Sequence, residues 1–66
     1  MITKREREVL AYLAHGLTYE QTAARMGVSP QTVKNHTSSA FKKLRVGNRF
    51  GAFLELGWMN PPEVTW

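Results

Sequence analysis

Residues 18 to 45 read TYEQTAARMGVSPQTVKNHTSSAFKKLR, and this stretch holds the punctuation of two consecutive helices. Thr18 followed three residues later by Gln21 is a capping box, in which each residue satisfies an amide the helix start leaves open. Gly27 supplies the left-handed residue that ends this short helix after about two turns. Ser29 then caps a longer helix with Pro30 at its first position, where a missing amide costs nothing, and this helix can run to about Arg45 ahead of Gly47. Ala23, Gly27 and Val33 stand at the spacing of a helix-turn-helix: a small residue where the helices cross, glycine in the turn, and an apolar residue locking the second helix.

Advancing about 100° per residue from Val33 places Ala40 and Leu44 on the same side, with Thr37 beside them, so these positions face a core. The opposite side gathers Gln31, Lys34, Asn35, Ser38, Lys42 and Arg45, which offer amide, hydroxyl and cationic groups and no carboxylate. Such a strip suits bases and phosphates. Lys can donate to guanine O6 and N7, Asn can pair with adenine through two bonds, and small Ser38 allows a close approach to a groove floor. An ordinary solvated helix face would carry Glu spaced to pair with its Lys residues, and none is present.

Working outward, Thr3 and Glu6 form another capping box, opening a first helix whose Val9, Leu10 and Leu13 make an apolar stripe ending at Gly16. Asn48 opens a fourth helix that Gly57 closes, weakened by the backbone entropy of Gly51. No stretch alternates in the β-branched manner of a strand. The expectation is therefore an all-α fold: a compact four-helix helix-turn-helix domain over residues 2 to 57, with a short non-helical tail over residues 58 to 66. That tail contains Pro61 and Pro62 and is expected to lie against the body. Its Trp58 and Trp66 either pack inside the monomer or meet a partner.

Charge placement narrows the function. The chain has 66 residues and a net charge of +4, and its excess sits between positions 25 and 49, where Arg25, Lys34, Lys42, Lys43, Arg45 and Arg49 face no acidic residue. This is the footprint of a surface that meets a polyanion. Cysteine is absent, so no disulfide framework staples the fold. The longest apolar run, residues 9 to 14, falls far short of the roughly 20 residues that span a bilayer. Enzyme chemistry has no support: His15 and His36 lie far apart in sequence, Asp and Cys are missing, and no nucleophile has a recognisable base. His15 is expected at a helix C-terminus and His36 on the flank of the core face, neither of them a metal ligand. No metal or other cofactor is expected.

The segments R-E-R-E-V-L at 5 to 10, G-L-T at 16 to 18, T-V-K-N-H at 32 to 36, K-K-L at 42 to 44 and V-G-N-R at 46 to 49 together resemble the LuxR-type (GerE or FixJ/NarL-like) helix-turn-helix domain. The resemblance covers roughly residues 2 to 54 in unbroken register. It implies a DNA-binding domain of bacterial transcription regulators, with the third helix in the major groove and the fourth used for dimerisation. By position it implies base contacts from Lys34, Asn35 and Ser38, and backbone or near-backbone contacts from Thr32, Lys42, Lys43 and Arg49. Thr22 and Ala40 stand where the family usually has larger aliphatic residues.

Most members carry this domain behind a receiver or ligand-sensing domain, whereas Met1 here directly precedes the match, so a stand-alone regulator from a bacterium or its phage, acting in the cytoplasm at the nucleoid, is expected. The expected partners are double-stranded DNA, a second copy of the chain on DNA, and RNA polymerase, with no membrane. Phe50, Leu54, Trp58 and Trp66 make the expected dimer or partner surface. The alternative is a protein-interaction module of the same fold, binding a DNA-bound partner or RNA polymerase through the tail or the fourth helix.

Overall fold

A computed structural model of the chain describes residues 1 to 64. Four helices follow one another: α1 (Lys4–Ala14), α2 (Tyr19–Met26), α3 (Pro30–Leu44) and α4 (Arg49–Glu55), with no strand among the described residues. Both capping boxes form, each with the side-chain oxygen and the backbone amide exchanged between Thr3 and Glu6 and between Thr18 and Gln21. Gly27 ends α2 in the left-handed conformation, as the turn requires.

α3 lies at the centre and packs against each of the other three helices. The core is assembled from Val9, Leu10 and Leu13 of α1, Ala23 of α2, Val33 and Ala40 of α3, and Ala52 of α4. The helix-turn-helix reading is therefore realised in packing, since Ala23 and Val33 meet in one buried cluster across the Gly27 turn. None of the helices is long and apolar enough to cross a membrane among the described residues.

α3 ends where it is expected to, at Leu44 with Arg45 as its cap, and Arg45 takes the left-handed conformation with φ 58° and turns its amide back to Phe41 and Lys42. Arg45 thereby leaves the helical phase that had placed it on the polar strip. Gly51 was read as a simple weakness in α4, yet a Cβ there would come within 3.0 Å of Val46 Cβ. The glycine lets α4 approach the preceding loop, and its backbone-entropy cost is offset by that contact.

The tail does lie against the body. The Trp58 amide donates to the Phe53 carbonyl at 2.9 Å, and the His15 ring nitrogen Nε2 donates to the Pro62 carbonyl. The Trp58 ring stacks on Phe53 with centroids 5.8 Å apart, and the Arg7 guanidinium lies 5.3 Å from the Trp58 centroid. His15 itself caps the C-terminus of α1, where it was expected.

Thr22 is fully buried, and among the described residues its hydroxyl has no hydrogen-bond partner, unlike that of Thr37, which donates to the Val33 carbonyl at 2.9 Å. A buried, unmatched hydroxyl costs ~1–3 kcal/mol. Thr22→Val keeps the shape and removes the hydroxyl, so it is expected to stabilise the domain by ~1 kcal/mol and to raise the thermal midpoint by about 4–8 °C. Calorimetry or circular dichroism melts of the two proteins check this, and an unchanged or lower midpoint for the variant refutes it.

Candidate nucleic-acid interface

The solvent side of α3 is set up by its own cap. Ser29 Oγ accepts from the Thr32 amide at 3.2 Å and lies 3.0 Å from the Thr32 hydroxyl, which fixes the first turn. From that turn Gln31, Lys34, Asn35, Ser38 and Lys42 all project into solvent. The Gln31 side-chain amide donates to Asn35 Oδ1 at 3.0 Å, so the two amides one turn apart are held together and the Asn35 NH2 is left to face outward. Chemically, the face presents donors and acceptors flanked by ammonium groups, with no carboxylate on α3 to compete for them.

The expected site residues do not all gather there. Lys34, Asn35, Ser38 and Lys42 share the face, and Thr32 stands half-buried at its start. Arg49 is the first residue of α4 and is half-buried. Lys43, expected to touch the DNA backbone, is turned instead toward α1, where its ammonium donates to Glu6 Oε1 at 3.0 Å and Oε2 at 3.2 Å. Its ammonium is therefore already engaged within the fold, although the residue stays exposed, and the contact that the resemblance implies for it would have to compete with Glu6.

Glu6 is the residue sequence reading undervalued. It was read as half of a capping box, and it does accept from the Thr3 amide at 2.7 Å, but it is also only 3 % exposed. Its position three and four residues before Val9 and Leu10 puts it on the apolar stripe, and that was the signal available. Burial by itself would raise the Glu6 pKa, yet the Ser39 hydroxyl, the Thr3 amide and the Lys43 ammonium together outweigh burial and lower it to about 2.

Because the folded-state pKa lies below the ordinary value of 4.5, the unfolded chain binds the proton more readily. The stabilisation is therefore complete above about pH 4.5 and is lost as pH falls from there toward about 2. With the Lys43 side chain 37 % exposed and screened, its size is ~1–2 kcal/mol, less than the full linkage value. Melting temperatures taken across this range should fall in the native protein and stay flatter in Glu6→Gln. Parallel profiles would contradict the assignment.

On the far side, α4 leaves Phe50 77 % and Leu54 81 % exposed, while Phe53 turns inward to the core cluster. Trp58, expected on the partner surface, is half-buried and packs against the core through the Phe53 and Arg7 contacts. It nevertheless walls an open groove of about 390 Å3 with Ala14, Phe53, Pro61 and the exposed edge of α4. Trp66 lies outside the described residues.

A family model described as "Bacterial regulatory proteins, luxR family" matches residues 1–55, the whole of the four-helix body. The chain belongs to that family. It carries the LuxR-type helix-turn-helix DNA-binding domain of bacterial transcription regulators, a family of non-enzymatic proteins.

Among its relatives, the spore germination protein GerE of Bacillus subtilis is 43% identical over 64 residues, which cover 97% of this chain and 86% of GerE. A probable transcriptional regulatory protein, SgaR, of Hyphomicrobium methylovorum is 54% identical over 48 residues, 73% of this chain and 23% of SgaR. The solved structure of the transcription factor GerE superposes with a TM-score of 0.79 at 36% identity, covering 83% of this chain and 82% of that one. The LuxR-family chain thus spans most of GerE but under a quarter of SgaR.

Proposed function

We propose that this LuxR-family domain, residues 2 to 57, is a sequence-specific transcriptional regulator that lays α3 in the major groove of double-stranded DNA, in the bacterial cytoplasm where the chromosome lies. The observation that carries the reading is the exposed, acid-free face of α3, with Lys34, Asn35 and Ser38 aligned and the Asn35 amide held by Gln31. In this reading those three side chains read base edges. Thr32, Lys42 and Arg49 hold the phosphate backbone, and Lys43 is assigned to the fold instead.

A single α3 offers few base contacts, so affinity calls for two copies on half-sites about one helical turn apart. The exposed Phe50 and Leu54 of α4 support that pairing, and the same apolar edge is the surface available to RNA polymerase. Sedimentation with and without a two-fold DNA site separates the two, because only self-pairing doubles the mass of protein on DNA.

Selection of bound duplexes from a random pool tests the reading. Lys34→Ala and Asn35→Ala are each expected to relax preference at particular base pairs, by ~1–3 kcal/mol for a lost base contact. Lys42→Ala is expected to weaken all sequences alike and to flatten the salt dependence. Base preferences that survive both Lys34→Ala and Asn35→Ala would remove α3 as the reader.

A further inference from the structure

Resting on that reading of α3, we infer that Glu6 of α1 is a positioning residue for DNA recognition: its buried carboxylate grips Lys43 and so sets the rotation of α3 about its own axis.

Lys43 is the immediate neighbour of Lys42 on the reading face. The carboxylate accepts both bonds from Lys43, at 3.0 and 3.2 Å, while the Thr3 amide at 2.7 Å pins the same carboxylate to the start of α1. The grip therefore joins the C-terminal half of α3 to a fixed point of backbone on another helix.

Apolar packing alone holds that rotation weakly. The buried side chains of α3 are Val33, Thr37 and Ala40, all short and interlocking less than long ones, while the larger Phe41 and Leu44 pack on the core only partly buried. A helix with its side chains has a radius of about 5–6 Å, so a rotation of about 10° carries a side-chain tip about 1 Å. Recognition sites must be held within about 0.5 Å and 10–20° of the productive geometry. A directional, buried ionic contact supplies what short apolar side chains lack, and fixing one arrangement among several is a use that buried polar groups serve elsewhere.

The test compares Glu6→Gln, Lys43→Met and the double variant with the native chain, at a temperature where circular dichroism shows each one folded. The readout is the ratio of affinities for a duplex selected by the native protein and for a scrambled duplex. Each single variant is expected to lower the ratio about tenfold, which corresponds to ~1.4 kcal/mol, with the double variant no worse than either single one because both break one tie. Glu6→Gln is also expected to bind the scrambled duplex with a salt slope about one steeper, since Lys43 is released to phosphate.

A ratio unchanged in the folded variants overturns the inference and leaves Glu6 a purely stabilising residue, because lost stability alone does not alter discrimination by molecules that remain folded. Should Glu6→Gln fail to fold, Lys43→Gln removes the charge of the donor while leaving the Glu6 carboxylate a polar neighbour, and the same ratio decides. The underlying reading fails separately: if the native chain selects no sequence, or Lys34→Ala leaves preference intact, α3 is not the reader and the inference falls with it.

Discussion

Leu10→Ala is expected to remove a large part of the domain's stability, ~2–5 kcal/mol. Leu10 is the largest of the fully buried side chains, sits mid-way along α1, and belongs to a core cluster in which Ala23, Ala40 and Ala52 contribute little volume of their own. Truncating a buried leucine costs ~2–5 kcal/mol, from the lost transfer energy and from the cavity left behind. A chain of this length has roughly 3–10 kcal/mol to lose at the usual stability per residue. Urea titrations followed by helical circular dichroism give the difference directly. A shift below ~1 kcal/mol would mean that the fold does not depend on the α1 stripe.

The second large effect is on DNA. Lys42 and Arg49 are the cations of the acid-free segment assigned to the phosphate backbone, and two copies of the chain on a two-fold site bring four of them. About four phosphate contacts at roughly −0.9 each give a slope of log affinity against log salt near −4. Between about 50 mM and about 200 mM salt the affinity should therefore fall roughly 10²-fold. Mobility-shift titrations across that range measure it. Binding that ignores salt, or no binding at the low end, would remove the polyanion reading altogether.

The parts of this molecule that a reader can extract from its sequence are those decided within one helical turn. The capping pairs Thr3 with Glu6 and Thr18 with Gln21, the left-handed Gly27 and the solvent strip of α3 all depend on residues three or four apart, and each is found in place. What escaped depends on how one segment meets another rather than on spacing within a single helical turn. Glu6 and Lys43 are 37 positions apart, and nothing local to Lys43 announces that its charge is already engaged. Gly51 looked like a flaw because the cost of a glycine is local, whereas its benefit is room for Val46 on another element. For Trp58 composition offered two destinations, and only the positions of Phe53 and Arg7 chose between them. Phe50 and Leu54 were readable as surplus because α4 is too short to bury every apolar residue it carries.

The way the tail is fastened divides the molecule into units of unequal persistence. The helices are closed by backbone ladders around a dry core, so exchanging their amide protons demands large-scale opening. The segment beyond α4 is held differently: one amide on Phe53, one stacked ring beneath a guanidinium, and one imidazole on the Pro62 carbonyl. None of these contacts needs the helices to come apart before it lets go. The tail is therefore expected to open at a lower free energy than the helices, and an opening would widen the apolar edge of α4 by the area that Trp58 and Pro61 cover. The groove is then a property of the closed tail, and amide exchange at Trp58 faster than at the helix amides is the result that would show it.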